Sequence, residues 1–218
     1  MTKKLGIILT AIFVGMALLV WLFIASMKPL PGEKLLQDGR NHVDEGSKVD
    51  YKFNPPTSGD HYASWITKGF YEDPRADGNL VHSMEHGYII VWYDCEKKVS
   101  HQWSVISEVY AHEDATPSAT TSGGSGMTQG STGVATMHLE DMPKAFSDGS
   151  CETVKTQLKD LYQKDQHKLI IMPRVGMDSP IILTAWGRAE KLNSVDQGKI
   201  KEFINAFRDQ GPEATVEP

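Results

Sequence analysis

Apolar and polar positions divide the chain into one unbroken apolar stretch, several strand-like runs and three helical stripes. Leu5 to Met27 carries no charged residue. At the helical rise it would be about 34 Å long, enough to cross the hydrocarbon core of a bilayer with some tilt. No polar face interrupts it, which argues against a buried core helix. Val49 to Phe53 alternates like a half-buried strand, whereas Tyr88 to Tyr93 is β-branched and aromatic throughout and reads as a central strand. Leu169 to Met172 and Ile181 to Trp186 read as further strands, and Val134 to Leu139 as a short one. Trp103, Ile106, Val109 and Tyr110 recur at helical spacing, as do Val154, Leu158, Leu161 and Tyr162 in a helix opening near Ser150. The last helix carries Ile200, Phe203, Ile204 and Phe207 on one face, with Ser194 and Gln197 spaced as a capping box and Gly211-Pro212 as its stop. Interleaved strands and helices predict a single α+β (or α/β) domain with a sheet of about four to five strands, behind one N-terminal transmembrane helix.

Punctuation along the chain sets the organisation. Residues 1–4 include Lys3 and Lys4, and positive charge before an uncharged span predicts a cytoplasmic N-terminus and an extracytoplasmic main domain. A cleaved signal peptide is the competing reading, but cutting after Ser26 or Ala25 needs a small residue where Ile24 or Phe23 stands. Residues 5–27 are therefore expected to stay as a single-pass membrane anchor. Pro29, Pro31 and Gly32 mark residues 28–38 as a stalk, residues 39–212 form the domain, and residues 213–218 are a tail. Within the domain, residues 114–133 are so rich in Ser, Thr and Gly that they cannot bury enough apolar surface to order themselves, and read as a flexible insertion.

Charge and cysteine content narrow the partners. After position 27 there are 20 Lys+Arg (22 in the chain, less Lys3 and Lys4) against 28 Asp+Glu. That excess of acid speaks against nucleic acid, whose binding depends on basic patches that neutralise phosphates. The sequence identifies no protein partner. Cys95 and Cys151 are the two cysteines, and outside the cytoplasm they are expected to pair, stabilising the fold by about 4 kcal/mol in the chain-entropy treatment.

The chemistry gathers around Val81-His82-Ser83-Met84-Glu85-His86-Gly87. In extended chain His82 and His86 would stand about 13 Å apart, too far to share an ion. In a helical turn their Cβ atoms come within about 6 Å, and the glycine favours that turn. Asn54-Pro55-Pro56-Thr57-Ser58-Gly59-Asp60-His61-Tyr62 is a stiff loop that displays a third histidine, since each proline lacks a donor and restricts its predecessor. His61, His82 and His86 make a candidate metal site, with His42 as a fourth candidate ligand. Imidazole suits copper or zinc, and Met84 and Met177, if they joined, would favour reduced copper. The competing reading is that the histidines hydrogen-bond loop backbone and lock a structural or interaction domain of the cell envelope, with the methionines as core filler.

His82-Ser83-Met84-Glu85-His86 also fits the H-x-x-E-H pattern of inverted zinc peptidases, with Glu85 as base. Those enzymes set the motif within a long helix, whereas here Gly87 and a strand follow at once. Glu85 is accordingly read as a supporting or capping group. No G-x-S-x-G elbow is present and neither cysteine has a catalytic setting, so the chain reads as a metal-handling or metal-sensing protein rather than an enzyme.

Asn41-His42-Val43, Pro55-Pro56-Thr57-Ser58-Gly59-Asp60-His61-Tyr62, Val81 to Gly87 and Ala185-Trp186-Gly187 together resemble the signature of a prokaryotic family, domain of unknown function 3105 (DUF3105). The resemblance runs from about Gly39 to Pro212 with residues 114–133 outside it. It departs from the family pattern at Met84 and Asp60, where leucine and proline are expected. The resemblance implies one domain, commonly behind an N-terminal membrane segment, and carries no activity with it.

Overall fold

A computed structural model of the chain describes residues 2–26, 28–97, 142–213 and 215. It falls into two units, Met1–Pro31 and Gly32–Pro218. In the first, α1 (Thr2–Ser26) is helical. Several of its side chains lie outside the description, and among the described residues no helix is long and apolar enough to cross a membrane.

The second unit is built on β5 (Ile89–Tyr93), buried along its whole length because both faces of its sheet are covered. Ile89, Val91 and Tyr93 enter one apolar cluster while Ile90 and Trp92 enter another, as a two-residue period requires. Beside it run β6 (Leu169–Pro173), parallel, and β7 (Ile181–Ala185), antiparallel. A further strand, β8 (Arg188–Leu192), and the two-residue edges β1 (Glu33–Lys34) and β4 (Gly69–Phe70) complete the order β1-β8-β7-β5-β6-β4. One face is covered by α3 (Gly149–Lys164), through Cys151, Leu158 and Leu161, and by α4 (Gln197–Phe207), through Ile200, Phe203, Ile204 and Phe207. The other face receives α2 (Asp77–Glu85), whose Leu80, Val81 and Met84 pack on Ile90, Trp92, Ile170, Met172 and Ile182.

A bidentate ion pair fastens the start of α2. Arg174 donates from Nη1 and Nη2 to the two carboxylate oxygens of Asp77 at 2.5 and 2.9 Å, from Nε to Asn54 Oδ1 at 2.7 Å, and lies 4.9 Å over the Trp92 ring. Outside the main sheet, β2 (His42–Val43) and β3 (His61–Tyr62) form a parallel pair. A disulfide joins Cys95, just past β5, to Cys151 on α3, as expected.

The mixed α+β architecture is as the sequence predicts, and several details differ. The sheet has six strands, not four or five: β1 and β4 are too short to show alternation, and β8, between β7 and β1, is largely polar. Glu33 and Lys34, read as stalk, pair with Ala189 and Arg188. Val49 to Phe53 is not a strand; the Tyr51 hydroxyl donates instead to Asp60 O at 2.8 Å, so its alternation serves loop packing. Asp196, not Ser194, caps α4, accepting from Lys199 N at 3.0 Å. Asp77 to Asn79 open the first turn of α2. The expected helix around residues 101–110, the insertion at 114–133 and the strand at 134–139 lie outside the described residues.

Candidate metal centre

Three elements bring the histidines together. Asp60 Oδ1 accepts from both the backbone N and the Nδ2 of Asn41 at 3.0 Å, and His61 N donates to Asn41 O at 3.0 Å. These bonds hold His42 beside His61 in the β2–β3 register. The third histidine comes from α2, which ends in a left-handed cap: Gly87, at φ +84°, donates to Met84 O at 3.0 Å and Tyr88 N to Ser83 O at 3.1 Å. His86 is thereby one turn beyond His82, and the expected glycine-stopped turn is the end of a nine-residue helix. Ser83 Oγ accepts from Ile66 N at 3.0 Å, tying α2 to the loop that carries Trp65.

The rings of His42, His61 and His82 form a triangle with centroids 4.9 to 5.0 Å apart. Glu85 joins them, and one ligand atom from each of His42, His61, His82 and Glu85 lies within 4.8 Å of every other. His61, His82 and Glu85 are buried and His42 is exposed. His86 belongs to a second group with His82 and Glu213. The loop thus does not display His61 outward; it seals it in the interior.

Hydrogen bonding fixes which nitrogens face inward. His61 Nδ1 lies 2.9 Å from Gly59 O and His82 Nδ1 2.7 Å from Tyr62 O. A carbonyl accepts only from a protonated nitrogen, so in the neutral rings Nε2 keeps the lone pair. Burial, above all, lowers the His82 pKa; the Tyr62 bond opposes it, and the neighbouring histidines add to the lowering. His61 Nε2 lies 2.8 Å from Glu85 Oε2 but outside hydrogen-bonding geometry. His82 Nε2 lies 3.0 Å from His86 Nε2. The His61 Nε2 and Glu85 Oε2 lone pairs, facing each other at 2.8 Å, repel unless a proton or metal ion lies between them, whereas a neutral His86 protonated at Nε2 donates to His82 Nε2. Carbonyl-oriented imidazoles with Nε2 turned inward are the arrangement that supports metal ligation.

Residues 42–125 and 145–218 match the family described as protein of unknown function (DUF3105). The chain belongs to this family. No curated protein and no solved structure matches it. The DUF3105 match spans both histidine strands, α2 and Trp186, whose ring stands edge-on 6.2 Å from His61.

Within this DUF3105 domain Met84 and Met177 lie in the apolar cluster beneath the sheet, filling space there. Glu85 is held by Arg40, whose Nε donates to Oε1 at 2.5 Å. A carboxylate so engaged, at the last residue of a short helix, lacks the setting of a peptidase base. The sequence reading did not identify Arg40, Trp65 or Glu213. Trp65 packs 5.5 Å from His82 and 4.8 Å from His86. An aromatic or a charge on a loop carries no periodic signal, so these residues were found only through the fold.

Proposed function

We propose that the DUF3105 domain binds one divalent transition-metal ion, zinc or copper, through His42, His61, His82 and Glu85, and handles or senses that metal rather than using it in catalysis. The observation that carries this reading is the convergence of four donors within 4.8 Å, with the Nδ1 atoms of His61 and His82 committed to backbone carbonyls. Imidazole and carboxylate suit divalent zinc or copper, and with the methionines in the core nothing selects reduced copper. Four protein donors fill a tetrahedral shell, whereas catalytic zinc sites keep a position open.

The domain is further proposed to stand outside the cytoplasm on a membrane anchor formed by residues 5–27. Ile7, Leu9, Phe13, Leu19 and Trp21 are among the large apolar side chains exposed around α1, and an apolar surface of that kind is stable in lipid. A second reading is favoured by the same carbonyl bonds: the histidines lock loops of a structural or interaction domain of the envelope.

Metal analysis of the full chain in mild detergent separates them. After exposure to micromolar zinc or copper and desalting, the parent is expected to retain one ion and a His61→Ala, His82→Ala variant none. A parent without metal, whose variant only melts at lower temperature, supports the structural reading and overturns the metal one.

A further inference from the structure

His82 is shared by two donor groups. One is His42, His61, His82 and Glu85; the other is His82, His86 and Glu213. Because His82 Nδ1 is engaged by Tyr62 O, Nε2 is the nitrogen available to both groups, and it faces His86 Nε2 at 3.0 Å. One lone pair serves one ion at a time, so the two groups exclude each other.

Each group has one exposed member: in the first it is the His42 imidazole, and in the second it is the Glu213 carboxylate, whose side chain is 48 % exposed with Oε2 3.7 Å from His86 Nε2. The segment carrying Glu213 is held by its backbone: Glu213 N donates to Glu85 O at 3.0 Å, and Lys168 Nζ donates to Thr215 O at 2.9 Å and to His86 O at 2.8 Å. Gly211 lies so close to Glu85 O and Gly87 N that no side chain fits there. The carboxylate of Glu213 is therefore presented to His86 by a fixed backbone, and Trp65 packs on the His82–His86 pair.

Resting on the metal reading above, we propose that one ion occupies two alternate positions hinged on His82, and that His86 and Glu213 form the outer position through which the ion reaches the inner one. A metal-handling protein needs both tight retention and exchange. An exposed carboxylate beside the shared histidine supplies exchange without dismantling the inner ligands.

The test uses zinc and the full chain in detergent. Loading is followed with a chromophoric chelator, and stripping with excess chelator, for the parent, Glu213→Gln and His86→Gln. Both variants are expected to keep one ion per chain with nearly unchanged equilibrium affinity. Both should load and lose it several-fold more slowly, because each removes a donor from the outer position. Variant rates equal to those of a parent that binds one zinc overturn the relay and leave the inner site standing. Two zinc ions per chain at saturation also overturn it, since the positions then do not exclude each other. A parent that binds no zinc overturns both readings together.

Discussion

His42 and His61 are register partners in a parallel pair of two-residue strands, which sets their ring centroids 5.0 Å apart. His82 reaches the same point from the end of α2, 4.9 Å from each. The His42, His61 and His82 cluster is therefore assembled by long-range contacts, and His86 stands one helical turn beyond His82, grouped with Glu213.

In the proposed site His61 is an inner ligand and His86 a member of the outer group. His61→Ala is expected to weaken zinc binding by more than the roughly 10- to 100-fold that losing a supporting partner costs. His86→Ala is expected to weaken it far less. Competition against a chelator of known affinity measures both; equal losses would put His86 in the inner set.

Arg174 and Asp77 form a buried, bidentate pair at the start of α2. Arg174→Met leaves the Asp77 carboxylate buried without its charge partner and is expected to cost roughly 3–5 kcal/mol of stability. Denaturant unfolding of the parent and variant gives the value.

Much of this was legible in the sequence. The apolar run through β5 announces a strand covered on both faces, and the stripes of α3 and α4 announce the helices on one of them. Two cysteines in the chain leave one internal pairing, and the Cys95–Cys151 bond is that pairing. His61 and His82 could be singled out because proline and glycine fix the local backbone around each. Glu85 was underrated: its carboxylate meets His61 only through the packing of α2 against β3, a contact between residues 24 positions apart. Glu213 sits in a stretch read as loose tail, and its hydrogen bond to Glu85 O depends on the close approach of Gly211. Short edge strands, loop aromatics and tail contacts have no period for a pattern to reveal.

Gly87 holds φ +84°, and a Cβ there would lie 2.7 Å from Asp209 Cα. Gly87→Ala is therefore expected to destabilise the domain by about 1 kcal/mol or more, through strain and displacement of the 209 segment. Thermal unfolding at fixed pH reads this, and an unchanged melting temperature would contradict the cap as described.

The hydrogen bond from Arg208 Nη1 at 2.6 Å, chiefly, holds the Asp165 carboxyl below its usual range of about 3.8, with burial opposing it. A carboxylate whose pKa is depressed on folding contributes stability above its unfolded pKa and loses it as pH falls through the folded value. Between pH 3.8 and lower, the parent should lose stability that an Arg208→Gln variant has already lost at neutral pH. Denaturant midpoints across that range are expected to converge for the two proteins as the pH drops. A constant gap would assign the effect to packing of Arg208 instead.

X-ray absorption at the metal edge, on the full chain loaded with one equivalent of zinc or copper(II), tests the central claim most directly. The account predicts a first shell of nitrogen and oxygen at about 2.0–2.2 Å with imidazole scattering and no sulfur, lost in the His61→Ala, His82→Ala variant. A shell containing sulfur at about 2.3 Å, a spectrum of hydrated ion, or a shell unchanged in that variant would contradict it.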